Sequence, residues 1–349
     1  MRIAIVGGGL SGLAVALGCE EAGHDVSLYE ASDQLGGRMM TRPEGQHLID
    51  LGFHVLHTAY PALKRWVDIP GLRGKPMDAC TMTIQPSTGR RRVLGDALKA
   101  PRYLLPTLRS VGIVDGLRFL RWRLGTSSKD LERSMDGVTP PIALGLKPRN
   151  FTAETQRVLG PLFTGITLDP SLSERMAFAD VTWSAMSHGQ MIVPQHGIAA
   201  VPKQLAQRLA STTVHLNAEV SAITSTSVEV NGDTHAFDRV VLAVPQHVAT
   251  RLLPELSSDH SPVERLTSTV AFGAPQPPYK QARLLLNEEW GGEGNTVLHV
   301  HLPTNVHPHP EGIGSWPRWL VKTPMSRTSL PFRRSCDGGS VLWSTSGSI

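Results

Sequence analysis

The chain has 349 residues, enough for about two lobes, with 40% hydrophobic and 18% charged residues and a formal charge of +4. That balance excludes a disordered or collagen-like polymer, and no run of roughly 18 unbroken apolar residues is present for a membrane-spanning helix. Five basic residues (Arg318, Lys322, Arg327, Arg333, Arg334) against two acidic ones fall between Glu311 and Ile349, so only one surplus charge remains for the body, which gives no sign of a nucleic-acid partner.

Cys19, Cys80 and Cys336 are scattered and lack CxxC spacing. Neither a disulfide framework nor a thiolate zinc site is indicated, which fits a reducing, cytoplasmic compartment. Arg2 and the apolar run from Ile3 to Gly18 have the outline of a signal segment, but Gly7, Gly8 and Gly9 would weaken such a helix, and the residues up to Tyr29 give the run another meaning.

Arg2 to Val6 reads as a strand that ends at Gly7-Gly8-Gly9-Leu10-Ser11-Gly12. Leu13, Leu17 and Ala22 then recur at helical spacing, Gly23 stops the helix, and Asp25 to Tyr29 is a second strand. In this context Gly7 permits a tight turn, Gly9 lets a pyrophosphate approach the backbone, and Gly12 lets the helix pack closely. The helix N-terminus presents free N–H groups and a partial positive charge.

Glu30 closes the second strand 18 residues after Gly12, near the spacing at which a carboxylate accepts a ribose 2′-OH. A 2′-phosphate about 4 Å away would be repelled by about 4 kcal/mol, which disfavours NADP. The unit predicts an adenine dinucleotide site.

A second glycine pair follows at Leu35-Gly36-Gly37-Arg38-Met39-Met40-Thr41. From Ile3 to about His57, with IVGGGLSGLAVAL and YEASDQLGGRMMT, the chain closely resembles the N-terminal signature of the FAD-dependent amine oxidase and phytoene desaturase superfamily. The resemblance implies FAD, touched by Gly7, Gly9, Leu10, Ser11, Gly12, Glu30, Ala31, Gly37 and Arg38. It also implies an α/β fold: a Rossmann-like FAD-binding domain of glutathione-reductase type, with a parallel sheet and β-meander, and an inserted, mainly helical substrate domain. In Ile49-Asp50-Leu51-Gly52-Phe53-His54, the resemblance sets Gly52 and His54 near the isoalloxazine. A hydrogen-bonded core histidine fits His54 as well.

From Tyr60 to about Gln195, prolines from Pro61 to Pro161 break the pattern, and long parallel strands are not expected. Lys99 to Leu124 mixes arginines with leucines in a basic amphipathic pattern. It fits either a helix lying on an anionic membrane surface, as a peripheral contact, or an ordinary surface helix with its leucines inward.

The segment Pro194-Gln195-His196-Gly197 precedes a helix expected from Ile198 to Leu209, with Val201, Leu205 and Leu209 four apart. Here the family pattern has two glycines, so His196 leaves the backbone demand at that position open. Thr213 to Leu216 is strand-like, and Asn231-Gly232 after Val228-Glu229-Val230 signals a type I′ hairpin. Phe237 to Pro245 reads as a buried strand. The block resembles the family's second FAD-binding segment, which implies that backbone at Val220 pairs with adenine; a plain core role for Val220 fits the same residues.

His299, His301, His307 and His309 invite a metal, but no Cys or acidic residue keeps ligand spacing with them, so none is expected. The pattern divides the chain into a cofactor domain (1–58 and 196–246), a substrate domain (59–195 and 247–305) and an atypical tail (306–349). The family's closing strand, Gly-Asp turn and helix are not legible between Ser315 and Ile349, and a departure from the family pattern is expected between Val306 and Ser315.

No GxSxG elbow, HExxH or Cys/His constellation offers a nucleophile or metal, so no catalytic residue is assigned and the flavin carries the chemistry. The resulting expectation is an FAD-dependent oxidoreductase taking a hydride from a small, hydrophobic, isoprenoid-like molecule. Amine oxidation and a catalytically incomplete dinucleotide-binding remnant are the alternatives.

Overall fold

The computed structural model describes residues 1–44, 47–126, 137–256, 265–273, 279–291, 297–307, 318–325 and 341–346. The chain opens with β1 (Arg2–Val6), α1 (Leu10–Glu21) and β2 (Asp25–Tyr29), as the glycine and apolar spacing predicts. Gly23, with φ of 75°, ends the helix turn in a left-handed conformation that suits glycine.

β3 (Thr41–Glu44) and β4 (His47–Asp50) form a hairpin, and β5 (Leu56–His57) leads into α2 (Pro61–Trp66). Next come β6 (Lys75–Pro76), β7 (Cys80–Gln85), β8 (Arg90–Gly95) and α3 (Leu104–Gly125). After them lie α4 (Ile142–Gly145), α5 (Ala153–Thr167), α6 (Met176–His188) and β9 (Met191–Val193). The chain returns through α7 (Ala200–Arg208), β10 (Thr213–His215), β11 (Val220–Ile223), β12 (Ser227–Val230), β13 (Asp233–Ala236), β14 (Arg239–Leu242) and α8 (Gln246–Leu252). The last described elements are β15 (Leu266–Gly273), β16 (Leu285–Asn287), β17 (His299–His301), α9 (Pro303–Val306), β18 (Arg318–Met325) and β19 (Val341–Ser346).

β10, β2, β1 and β14 form a parallel sheet in that order, so both neighbours of the first strand point their carboxyl ends the same way. Ile3, Ile5, Val26 and Leu28 pack against Leu13, Ala16 and Leu17 of α1 and against Ile198, Val201 and Leu205 at α7. Each of the valine, leucine and isoleucine side chains contributes roughly 1.5–3 kcal/mol on burial, which clamps the glycine turn between sheet and helix.

β14 is the outer strand of this sheet among the described residues and is half-buried, whereas the sequence predicted a buried strand. β11, β12 and β13 form an antiparallel meander, and Asn231 (φ 54°) and Gly232 (φ 87°) make its turn, as predicted.

The second large sheet has the order β19-β15-β18-β17-β16-β7-β8 and is antiparallel except between β16 and β7. The expectation of a mainly helical lobe is therefore corrected: α3, α5 and α6 lie in a lobe that also carries this sheet. Its β7–β8 hairpin went unread in the sequence, although Cys80-Thr81-Met82-Thr83 is a β-rich run and Gly89 (φ 67°) serves its turn.

Within 306–349, where the sequence showed no sustained period, the described residues supply β18 and β19 on either side of β15. A strand paired on both edges is set by its ladder neighbours rather than by its own alternation, and Pro324 disguised it further.

Phe119, Trp122, Phe151, Leu159 and Phe163 make the core of this lobe, with the Trp122 and Trp183 rings stacked 4.6 Å apart. Buried Arg92 joins Glu288 and Glu154 across it. Gly112 (φ 81°, ψ 165°) breaks α3; Val111, Phe119 and Trp122 face inward while Ile113, Val114, Leu117, Leu120 and Leu124 face outward.

Candidate functional site

The site is built where β1 and β2 end. Gly7 has φ of 106°, and a Cβ there would stand 2.6 Å from the Ala243 carbonyl oxygen, so the turn after the first strand admits only glycine. A Cβ on Gly12 would lie 1.9 Å from the Gly7 carbonyl oxygen. The third glycine is thus needed for the closeness of helix to turn, as the sequence predicts.

Gly9 differs from both. It caps α1 with φ of −74° and no side-chain bond, and a Cβ there would meet only the Gly37 Cα, at 3.9 Å. Its lack of a side chain keeps open the surface in front of the helix N-terminus, where the first-turn N–H groups have no helical carbonyl partner. Ser11 is exposed in that first turn and Leu10 half-exposed.

Glu30 turns back onto this turn. Its Oε2 accepts the Gly8 N–H at 2.7 Å, and its Oε1 accepts the N–H (2.9 Å) and hydroxyl (2.7 Å) of Ser32. The carboxylate is thereby fixed beside the glycine turn with lone-pair capacity left on Oε2. The adjoining Ala31 is exposed. Sequence reasoning missed Gly8 and Ser32 as the groups that hold Glu30; the short Glu-x-Ser spacing was the available signal.

The second glycine pair docks on the first. The Gly36 N–H donates to the Gly8 carbonyl at 2.9 Å, and Gly37, with φ of 55°, brings its Cα side against Gly9. Gly37 and Arg38 lie on this edge, and Arg38 is exposed there. The Arg38 carbonyl in turn faces Gly52, where a Cβ would stand 2.8 Å from that oxygen.

Asp50 extends the chain of contacts. Its Oδ1 accepts the Thr41 hydroxyl (2.6 Å) and the Ile198 N–H (2.9 Å), and Thr41 also accepts from the Ala199 N–H. This anchors the entry to α7, where Gly197 has φ of 75° and packs against Thr41 and Asp50. The left-handed residue in this segment is Gly197, and His196 does not share its conformation. Segments far apart in sequence thus converge on one edge: Gly7 to Gly12, Glu30 to Ser32, Gly36 to Arg38, Asp50 to Gly52, and Gly197.

The other two sequence candidates lie deeper. Val220 is buried with Ala4, Val6 and Tyr29, and just before it the Ala218 N–H donates to the Glu30 carbonyl at 2.9 Å, which ties that strand to the same edge. His54 is buried, with its ring stacked on His301 at 4.2 Å and tilted toward His299 at 6.3 Å. It therefore reaches the second sheet.

His307 bonds the Val193 carbonyl through Nε2 at 2.7 Å, and His309 lies outside the described residues. No group of three or more His, Cys, Asp or Glu side chains among the described residues has the placement of a metal site.

The family model for flavin containing amine oxidoreductases matches residues 10–346, past the point at which the sequence pattern was expected to depart. Zeta-carotene desaturase of Synechocystis is 44% identical over 61 residues, covering 17% of this chain and 12% of that protein. The chain thus spans about an eighth of the length of the curated relatives it matches.

Among solved structures, an oxidoreductase from Methanosarcina mazei is similar with a TM-score of 0.69 at 15% identity, over 94% of this chain and 80% of that one. Putrescine oxidase bound to putrescine is similar with a TM-score of 0.59 at 20% identity, over 93% and 76%. Both likenesses concern the fold.

Proposed function

Because the chain belongs to the flavin containing amine oxidoreductase family, we propose that its amino-terminal Rossmann-like unit holds FAD and that the protein is an oxidoreductase acting on a hydrophobic, isoprenoid-like substrate. The observation that carries this reading is the Glu30 carboxylate held on the Gly8 N–H at the mouth of the glycine turn, with the second glycine pair stacked on the first.

The residues fit the group. Glu30 Oε2 is available to a ribose hydroxyl, the open face of Gly9 and the start of α1 suit a pyrophosphate, and Arg38 offers a cation on the same edge. The carboxylate on the ribose side disfavours a 2′-phosphate, hence FAD over NADP. When bound, the flavin supplies hydride-accepting chemistry; the chain's own task is to bind and orient it and to exclude water.

The isoprenoid reading over an amine rests on the carboxylates. An ammonium substrate calls for an uncommitted buried acid. Among the described residues, Asp115 accepts from Arg118 and Thr152, Asp169 from Ser171, Ser173 and Arg265, and Glu288 from Arg92 and Thr83. Asp50 is engaged by Thr41 and Ile198.

The test is the absorbance spectrum of the purified chain, followed by anaerobic addition of a carotenoid precursor or a diamine. A yellow protein bleached by the polyene and not by the diamine is the expected result. Bleaching by the diamine alone favours amine oxidation, a yellow protein bleached by neither favours a non-catalytic binder, and a colourless protein overturns the cofactor assignment.

A further inference from the structure

The second half of α3 carries an apolar stripe on the side away from the core. Ile113 is 68% exposed, Leu117 62% and Leu124 72%, with Leu120 also exposed. At 100° per residue these four positions fall within an arc of about 60°. Asp115, Phe119 and Trp122 are buried on the opposite side, so the outward stripe is additional to the face that packs the lobe. Isolated exposed leucines are ordinary, but an aligned row of four along one helix is not.

The exposed charges that the helix itself carries are of one sign. Arg121 is exposed next to it and Arg109 is exposed before the break at Gly112. The helix has a single acid, Asp115, which is fully buried and occupied by Arg118 and Thr152. Arg123 is drawn inward to Asp96 and the Ser187 carbonyl. No helix among the described residues is long and apolar enough to cross a membrane. We infer that this face of α3 docks peripherally on an anionic lipid bilayer, with Ile113, Leu117, Leu120 and Leu124 entering the acyl boundary and Arg121 meeting the headgroups. The inference stands apart from the flavin assignment, since it concerns a surface and needs no cofactor.

The test is co-sedimentation of the purified chain with phosphatidylcholine vesicles, with and without phosphatidylglycerol. Binding is expected only with the anionic lipid and is expected to weaken with added salt. Leu117→Asp should reduce it about tenfold or more and Arg121→Gln about fivefold, with melting temperatures unchanged because both side chains are exposed. Equal binding to both vesicles, no binding to either, or binding unaffected by these substitutions would overturn the inference. So would a wild-type dimer that Leu117→Asp dissociates while vesicles capture nothing, which would assign the stripe to a second copy of the chain.

Discussion

Gly37 approaches Gly9 so closely that a Cβ on Gly37 would stand 3.1 Å from the Gly9 Cα, and in the opposite direction a Cβ on Gly9 would keep 3.9 Å from the Gly37 Cα. The asymmetry separates folding from binding. Gly9 has an ordinary negative φ and space for a methyl group, whereas Gly12 has a backbone oxygen 1.9 Å from where its methyl would sit. Gly9→Ala is expected to fold, with a loss under about 1 kcal/mol, yet to lose flavin. Gly12→Ala should lose about 3 kcal/mol of stability outright. Urea titrations paired with flavin absorbance check both; full flavin retention in Gly9→Ala would place the pyrophosphate elsewhere.

Glu30 joins two roles that substitution can divide. Its carboxylate holds Gly8 and Ser32, so Glu30→Ala leaves their N–H donors to water and should cost about 1–2 kcal/mol. Glu30→Gln keeps one acceptor oxygen and the side-chain length, and removes the charge that opposes a 2′-phosphate. The expected outcome is a modest stability change with FAD affinity lowered about tenfold. Isothermal titration of the apoprotein with FAD reads the effect. An affinity equal to wild type would mean that the carboxylate serves the turn alone.

The parallel sheet and its glycine edge were legible because local chemistry dictates them: Gly7, Gly12 and Gly23 sit at turns or contacts that exclude or disfavour a side chain, and Asn231-Gly232 dictates its hairpin. The seven-stranded sheet was not, because its order joins β7 and β8 to strands some two hundred residues later, and pairing of that range leaves no local periodicity. The candidate site shows the same division. The glycines and Glu30 could be named in advance, but the Asp50–Thr41–Ile198 connection is a tertiary contact: Thr41 and Asp50 lie in segments the sequence singled out, yet nothing local says that they meet each other or the start of a helix some 150 residues later. The outward row on α3 was hidden for another reason. Composition reveals that leucines and arginines alternate, and only packing decides which leucines the core takes.

Glu20 provides an acid-sensitive clamp. Burial pushes its carboxyl pKa up, but the Thr212 hydroxyl and the N–H groups of Ala210, Ser211 and Thr212 outweigh it, leaving the group at about 2 against an ordinary 4.5. A lowered pKa means that the stabilisation is whole above pH 4.5 and disappears as pH falls toward 2. Glu20→Gln should therefore lose about 1–2 kcal/mol at neutral pH, with the gap to wild type closing across that acid window. Chemical denaturation at a series of pH values tests it, and a gap independent of pH would assign the loss to packing.

His57 also loses stability on acidification, in a milder range and for a different reason: it is the charged form of its side chain that the fold refuses. Burial, and then the Lys99 ammonium, which is anchored on the Met186 and Gly189 carbonyls, lower its pKa from 6.5 to about 4. Its ring stands edge-on to Tyr60 at 5.9 Å, and Nδ1 is buried with no hydrogen-bond partner among the described residues. Below pH 6.5 the unfolded chain takes up a proton that the folded ring refuses, so stability must fall as pH drops from 6.5 toward 4. At pH 5 the contribution is about 1–2 kcal/mol, allowing for partial solvent screening of a half-buried ring. Replacing the ring by an aliphatic group removes the titration while keeping most of the volume. Urea midpoints at pH 7 and pH 5 should therefore differ less in His57→Leu than in wild type. An equal difference in the two proteins would mean that the acid sensitivity comes from other groups, and Glu20 and Asp169 are poor candidates because they lose their bonds only at lower pH.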